Sequence, residues 1–126
     1  MTERMETPRM RLGRRSEQLA RRFLRSQGYA VEETNVRFPV GELDIVAREG
    51  QTLCFVEVRS TTSAAWGGGL ASVDGRKRRR IVQAARWYLS RRPLPPEIRF
   101  DVLAIEYRDG AEPAVELVRG AFDADG

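Results

Sequence analysis

From Leu12 onward, Leu12, Leu19, Ala20, Phe23 and Leu24 recur at helical spacing among charged residues, so RLGRRSEQLARRFLRSQ predicts a helix that Gly28 closes. The period then shortens. YAVEETNVRF predicts a strand over 29–38, broken by Pro39 and Gly41, and residues 42–47 and 52–59 predict a β-hairpin around Arg48-Glu49-Gly50-Gln51. STTSAAWGGGLAS, residues 60–72, is small and glycine-rich and reads as a mobile loop. Asp74 is placed to cap a second helix, whose Ile81, Ala84, Ala85, Tyr88 and Leu89 form one buried face and which Pro93 ends. RFDVLAIEY (99–107) and AVELV (114–118) predict two more strands about an Asp109-Gly110 turn. The order α-β-β-β-α-β-β predicts an α/β fold, a mixed sheet of about five strands with a helix on each side. Residues 1–10 read as a loose arm, 11–120 as one domain and 121–126 as a frayed tail.

The hairpin does not keep to its apolar pattern. Closing it around Glu49-Gly50, through the loop 48–51, pairs Val46 with Leu53, Asp44 with Phe55 and Glu42 with Glu57. Alternation then makes one face wholly apolar: Leu43, Ile45, Ala47, Cys54, Val56 and Val58. The other carries Val46, Leu53 and Phe55 near the turn, then Glu42, Asp44, Glu57 and Arg59. Like charges facing one another across a strand pair are destabilising, and a covering helix would make the repulsion worse. A hard divalent cation such as Mg²⁺ would resolve it, since it binds through one or two carboxylates and keeps waters for a substrate. A solvated sheet end with Arg37 and Arg59 as counter-charges would resolve it too. Pattern failures of this kind tend to mark function, which favours a site. Glu17 can reach the same edge from the first helix, or can serve as an intrahelical partner of Arg14 or Arg21.

Composition narrows the chemistry. The 126 residues contain no histidine, which removes histidine triads, imidazole bases and most zinc sites. The one cysteine, Cys54, lies in an apolar strand and reads as a core thiol. No apolar run is long enough to span a membrane, and the charged N-terminus lacks the apolar segment of a signal peptide, so a cytoplasmic location is expected. The net charge of +4 and pI near 10.0 point to an anionic partner, nucleic acid first. Arginines number 21 against a single lysine, Lys77. Arg76, Lys77, Arg78, Arg79 and Arg80 crowd the start of the second helix, where the macrodipole disfavours cations and where a phosphate would offset that cost. With Trp66 in the glycine-rich loop, Arg76, Lys77, Arg79 and Arg80 outline a nucleic-acid-binding groove. A merely solvated basic face is the plainer reading.

Gly13-x-x-x-Glu17-x-x-Ala20, Gly28-Tyr29, Asn35, GELDIVA (41–47), FVEVR (55–59) and Val73-Asp74 with Lys77 together resemble the YraN-like family of uncharacterised bacterial proteins. An acid on one strand followed by Glu-x-Lys on the next is the signature of the PD-(D/E)xK nucleases, and the family is similar to archaeal Holliday-junction resolvases. The resemblance implies a restriction-endonuclease-like core with Asp44 and Glu57 as Mg²⁺ or Mn²⁺ ligands and Glu17 completing the acidic cluster. Glu42 would support it. Metal would neutralise charge on a phosphate and acidify water. The lysine of Glu-x-Lys is here Arg59, which can clamp a phosphate but cannot lose a proton near neutral pH.

Three functions therefore stay open: a metal-dependent endonuclease acting on DNA, branched or damaged DNA included; a nucleic-acid-binding module with cleavage weakened or lost; and a protein-interaction domain on a nuclease scaffold. The resolvase-like relatives also allow a homodimer.

Overall fold

A computed structural model describes residues 5–62 and 73–125. Helix α1 (Pro8–Ser26) starts a turn before Leu12 because Thr7 caps it, its hydroxyl accepting the Met10 N–H at 3.1 Å. Pro8 suits the first position, where an N–H would find no partner. Residues 8–10 thus belong to the helix and not to an arm. Gly28, at φ +94°, ends it with a backbone conformation other residues resist.

Strands β1 (Ala30–Phe38), β2 (Gly41–Glu49), β3 (Thr52–Thr61), β4 (Glu97–Glu106) and β5 (Ala114–Phe122) form one sheet in chain order. All neighbours are antiparallel except β3 and β4, whose parallel pairing requires the crossover that carries helix α2 (Gly75–Leu89). The expected mixed five-stranded α/β sheet is what forms, consistent with a restriction-endonuclease-like core.

Each helix has its own core. On one side Ala20 and Leu24 of α1 pack with Ile45, Ala47, Cys54, Val56, Leu103 and Ile105. On the other, Ile81, Val82, Ala84, Ala85 and Tyr88 of α2 pack with Leu43, Val46, Leu53, Phe55, Phe100 and Val102. A sheet buried on both faces needs strands with apolar residues at successive positions, as β2 has at Ile45-Val46-Ala47. Cys54 is a fully buried core thiol, pushed by burial up to about 12.

The C-terminal end is ordered further than the sequence suggests. β5 runs past Val118 to Phe122, which stacks on Phe100 at 5.1 Å, so the expected tail gives two residues to the sheet. A register break opposite Asp101 absorbs extra residues of β5. There the fully buried Asp101 carboxylate accepts from the Tyr29 hydroxyl at 2.7 Å, Arg99 Nε at 2.8 Å and the Gly120 N–H at 2.9 Å. Arg99 also donates to Glu49 at 2.7 Å, and Glu49 is gripped by Arg119. These bonds tie the hairpin tip, the start of β1 and the β4–β5 pair together at one end of the sheet. The acidic pair described next lies at the other.

Candidate active site

The hairpin turns later than the sequence pattern predicts. Arg48 pairs with Leu53 and Glu49 with Thr52, leaving a two-residue turn in which Gly50 takes φ +61°. Val46 therefore lies opposite Phe55 and Ile45 opposite Val56, two residues out of the predicted register. A shift of two preserves which face each side chain takes, so the division into apolar and charged sets largely survives. What changes is which acids meet. Extending the observed register brings Asp44 level with Glu57, and Glu42 is left beyond the pairing.

One residue on the predicted apolar face is misplaced: Leu43 packs under α2, although Ile45 packs under α1. Alternation breaks at Asp44. Opposite it in β1, Asn35 adopts φ +53°, and the β1–β2 ladder passes from Thr34–Ile45 to Val36–Leu43 without these two residues. On its other side Asp44 Oδ2 accepts the Val58 N–H at 2.8 Å, filling the place of a strand carbonyl. Asp44 thus sits at a fork, where β2 parts from β3 and a side chain replaces the backbone ladder.

Glu57 is buried, 9% exposed, on the α2 side of β3. Its carboxyl lies close enough to that of Asp44 for each to influence the other's protonation, and burying two like charges together favours a proton on one of them. Burial, then the negative charge of Asp44, pushes Glu57 up to about 8; Arg59 and Lys77 pull it back. Asp44 is also raised, again by burial first, against the lowering effect of the Val58 N–H.

The remaining predicted acids stand apart from this pair. Glu17 accepts from Asn35 Nδ2 at 2.7 Å and lines the same groove as Asp44, of about 450 Å³, between α1 and the open ends of β1–β3. Among the described residues no three carboxylates or thiols converge as a metal cluster, so in place of a three-acid set there is a pair with Glu17 as an outlying neighbour. Glu42 does not face Glu57; it lies opposite Arg37, whose Nε is 3.8 Å from its carboxylate, though its charge still reaches Asp44. Arg59 follows Glu57 on the same strand face, its guanidinium 3.7 Å from the Glu57 carboxylate.

The cations of α2 divide by environment. Arg76, Arg79 and Arg80 are exposed, whereas Lys77 and Arg78 are half-buried. Arg78 is committed to the Val73 carbonyl at 2.9 Å and to the face of Phe122. Asp74 caps the helix as predicted, accepting the Lys77 N–H at 3.0 Å. Of the loop predicted over 60–72, Ser60 and Thr61 instead complete β3, paired with Ile105 and Glu106, while Trp66 and the rest of 63–72 lie outside the described residues.

Two features escaped the sequence pattern. Asn35 holds Glu17, and only its left-handed backbone shows why an asparagine is there. Ser16 is buried on α1 and shares a 2.9 Å hydrogen bond with the Tyr107 hydroxyl, pinning the helix to the end of β4. Its place one turn before Ala20 was the available signal.

The donor set suits a hard divalent cation. Asp44 and Glu57 supply hard oxygens close to one another, and a cation between them would offset the repulsion that raises Glu57. Two carboxylates and solvent satisfy Mg²⁺ or Mn²⁺; they would not satisfy zinc, which takes three or four protein ligands. Among the described residues no helix is long and apolar enough to cross a membrane.

The model of the uncharacterised protein family UPF0102 matches residues 16–105, which includes Glu17, both carboxylates of the pair and all of α2. The chain is 46% identical over 123 residues to a UPF0102 protein of Syntrophotalea carbinolica, covering 97% of this chain and 99% of that one. It is 46% identical to UPF0102 protein Anae109_1947 of an Anaeromyxobacter species, over 90% and 86% of the two chains. To a UPF0102 protein of Pseudomonas aeruginosa it is 43% identical, over 89% and 92%.

Proposed function

Because this chain belongs to the uncharacterised, YraN-like family UPF0102, we propose from the site itself that the protein binds nucleic acid and hydrolyses phosphodiester bonds, DNA being the substrate class. The observation that carries the reading is the Asp44–Glu57 pair, two acids close enough for the charge of Asp44 to raise Glu57, kept at a strand fork where Asp44 lines an open groove. Burying two carboxyls together weakens a fold unless a charge they bind repays it. Asp44 and Glu57 would hold Mg²⁺ or Mn²⁺, which supplies charge neutralisation at a phosphodiester and a more acidic water.

The chain's own residues supply the rest. Val58 N–H fixes the Asp44 carboxylate, so the pair is pre-organised before anything binds. Glu17, held by Asn35, faces the groove and can orient water by accepting a hydrogen bond. Arg59, beside Glu57, can donate to a phosphate oxygen. Arg76, Arg79 and Arg80 are exposed at the start of α2 and would bind the neighbouring phosphates. In the reaction the oxygen of water forms a bond to phosphorus and one P–O ester bond breaks. The leaving alkoxide takes up a proton, giving a phosphate monoester and a free hydroxyl.

Arginine at position 59 favours a second reading, a recognition module in which cleavage has been lost. Incubation with linear, single-stranded, flapped and four-way DNA in Mg²⁺ or Mn²⁺, with Asp44→Ala in parallel, separates the two. Cleavage by wild type and not by Asp44→Ala supports the nuclease. Binding without cleavage by both proteins leaves the recognition module, and neither binding nor cleavage rejects both.

A further inference from the structure

We propose that Trp87, backed by Phe38 and flanked by Arg80, is a stacking platform for unpaired bases, so that the partner of this side of α2 is single-stranded DNA. The inference rests on the nucleic-acid reading above, names the form of DNA that is bound, and does not depend on cleavage. Among the described residues Trp87 is the one exposed aromatic side chain, 44% exposed. It leans on Phe38, with ring centroids 6.1 Å apart and planes tilted by 34°. Phe38 is the last residue of β1, so the indole is held at a fixed place beside the sheet.

The helix supplies the charge. The sequence of α2, GRKRRRIVQAARWYL, contains no acid. Ile81, Ala84, Ala85 and Tyr88 face the core, and the outward side carries Arg76, Arg79, Arg80, Gln83, Arg86 and Trp87. Arginines of the strands face carboxylates: Arg48 meets Glu32, and Arg99 and Arg119 meet Glu49. Among the described residues no carboxylate lies within ion-pair reach of Arg79, Arg80 or Arg86. Arg80 precedes Trp87 by seven residues, two helical turns and about 10 Å along the same flank. A groove of about 540 Å³ is lined by Arg80, Phe38 and the turn that follows Phe38, and its one acid, Glu42, lies opposite Arg37.

An aromatic face among unpaired cations is the arrangement that holds single strands, with phosphates on arginine and a base on the ring. In a duplex the base faces are already stacked and only edges and phosphates are offered, so an indole face selects unpaired DNA. A second copy of the chain is a poor occupant, because two-fold pairing on this side would set the arginines against their own image. Phe38 pairs with Gly41, three residues before Asp44 and about 10 Å from it along β2. The platform therefore stands at the same end of the sheet as the acidic pair.

The test uses metal-free protein, so that cleavage does not enter. The chain has two tryptophans, and Trp66→Phe leaves Trp87 as its only indole. Titration with oligo(dT) should quench the Trp87 emission, and a duplex of the same length should bind without quenching it. Trp87→Ala should weaken oligo(dT) binding by about tenfold and duplex binding by less than about twofold, the size expected for one lost base stack. Trp87→Phe should recover most of the loss. Trp87→Leu keeps an apolar side chain against Phe38 but has no flat face, so it should bind oligo(dT) as weakly as Trp87→Ala. Unchanged emission at saturating oligo(dT), equal quenching by duplex, or wild-type affinity in Trp87→Leu would each overturn the platform. Equal quenching by polyglutamate would overturn it in favour of an acidic protein partner. Quenching by oligo(dT) without Asp44-dependent cleavage in Mg²⁺ removes the nuclease and keeps the platform, whereas no binding of either DNA removes the nucleic-acid reading and the platform together.

Discussion

A carboxyl group buried against another carboxyl holds its proton to higher pH than it does in water, and Glu57 shows the consequence at the scale of one residue. In the folded protein it is pushed from 4.5 up to about 8, by burial first and Asp44 second. Between those values the folded state binds a proton that the unfolded chain has released, so stability falls as pH rises through this window. Glu57→Gln keeps the size of the side chain and removes the ionisation. Metal-free Glu57→Gln should be more stable than wild type at pH 8, by on the order of 2 kcal/mol, and the difference should vanish near pH 4. Thermal melts of both proteins from pH 4 to 9 measure it. Saturating Mg²⁺ at pH 8 should raise the melting temperature of wild type far more than that of the variant. Parallel pH curves would mean that the pair is not coupled as described.

At the scale of elements, the site depends on how closely α2 lies on the start of β2. A Cβ at Gly41 would come within 3.1 Å of the Arg80 carbonyl, so Gly41→Ala must push the helix outward by a few tenths of an ångström. We expect a loss of about 1 kcal/mol in denaturant melts, together with weakened metal binding as α2 lifts from Glu57. The elements themselves were legible from local pattern: the Asp74 cap, the Gly28 stop and the buried row of Ile81, Ala84, Ala85 and Tyr88 all appear in place. Ends were less legible. Thr7 and Pro8 start α1 early, and Phe122 extends β5, because a cap and a long-range aromatic stack decide those boundaries. The hairpin register slipped by two because Arg48 and Glu49 look like loop residues. Their side chains are in fact engaged across the sheet, Arg48 with Glu32 and Glu49 with Arg99 and Arg119.

Across the whole molecule, polar groups concentrate at opposite ends of the sheet with different fates. The Tyr29–Asp101–Arg99–Glu49 network has its acids matched by donors; the Asp44–Glu57 pair is an acid against an acid. Asp101→Ala strands the Tyr29 hydroxyl and the Gly120 N–H and should destabilise the fold by about 3 kcal/mol in urea melts without altering the Asp44–Glu57 pair. A loss under 1 kcal/mol would show that the network is dispensable. The exposed arginines of α2 act at this scale too. Arg79→Ala with Arg80→Ala should weaken DNA binding for every sequence and reduce the slope of log affinity against log salt by about 2. An unchanged slope would place the phosphates elsewhere.

What the sequence determined by itself was whatever depends on neighbours in the chain: helix and strand identity, the two-sided sheet, the absence of imidazole chemistry, and the suspicion that Asp44 and Glu57 do not belong to the core. These follow from period and composition, which act over a few residues. Tertiary structure alone decided which acids touch. It set the register that brings Asp44 level with Glu57, turned Glu42 to Arg37, and held Glu17 off through Asn35. It also separated the half-buried Lys77 and Arg78 from their exposed arginine neighbours, because only the packing of α2 on the sheet shows which of five adjacent cations are partly covered. The physical reason is the same in each case: a charge is read by what lies within a few ångströms of it in space, and for these residues that neighbour comes from a distant part of the chain.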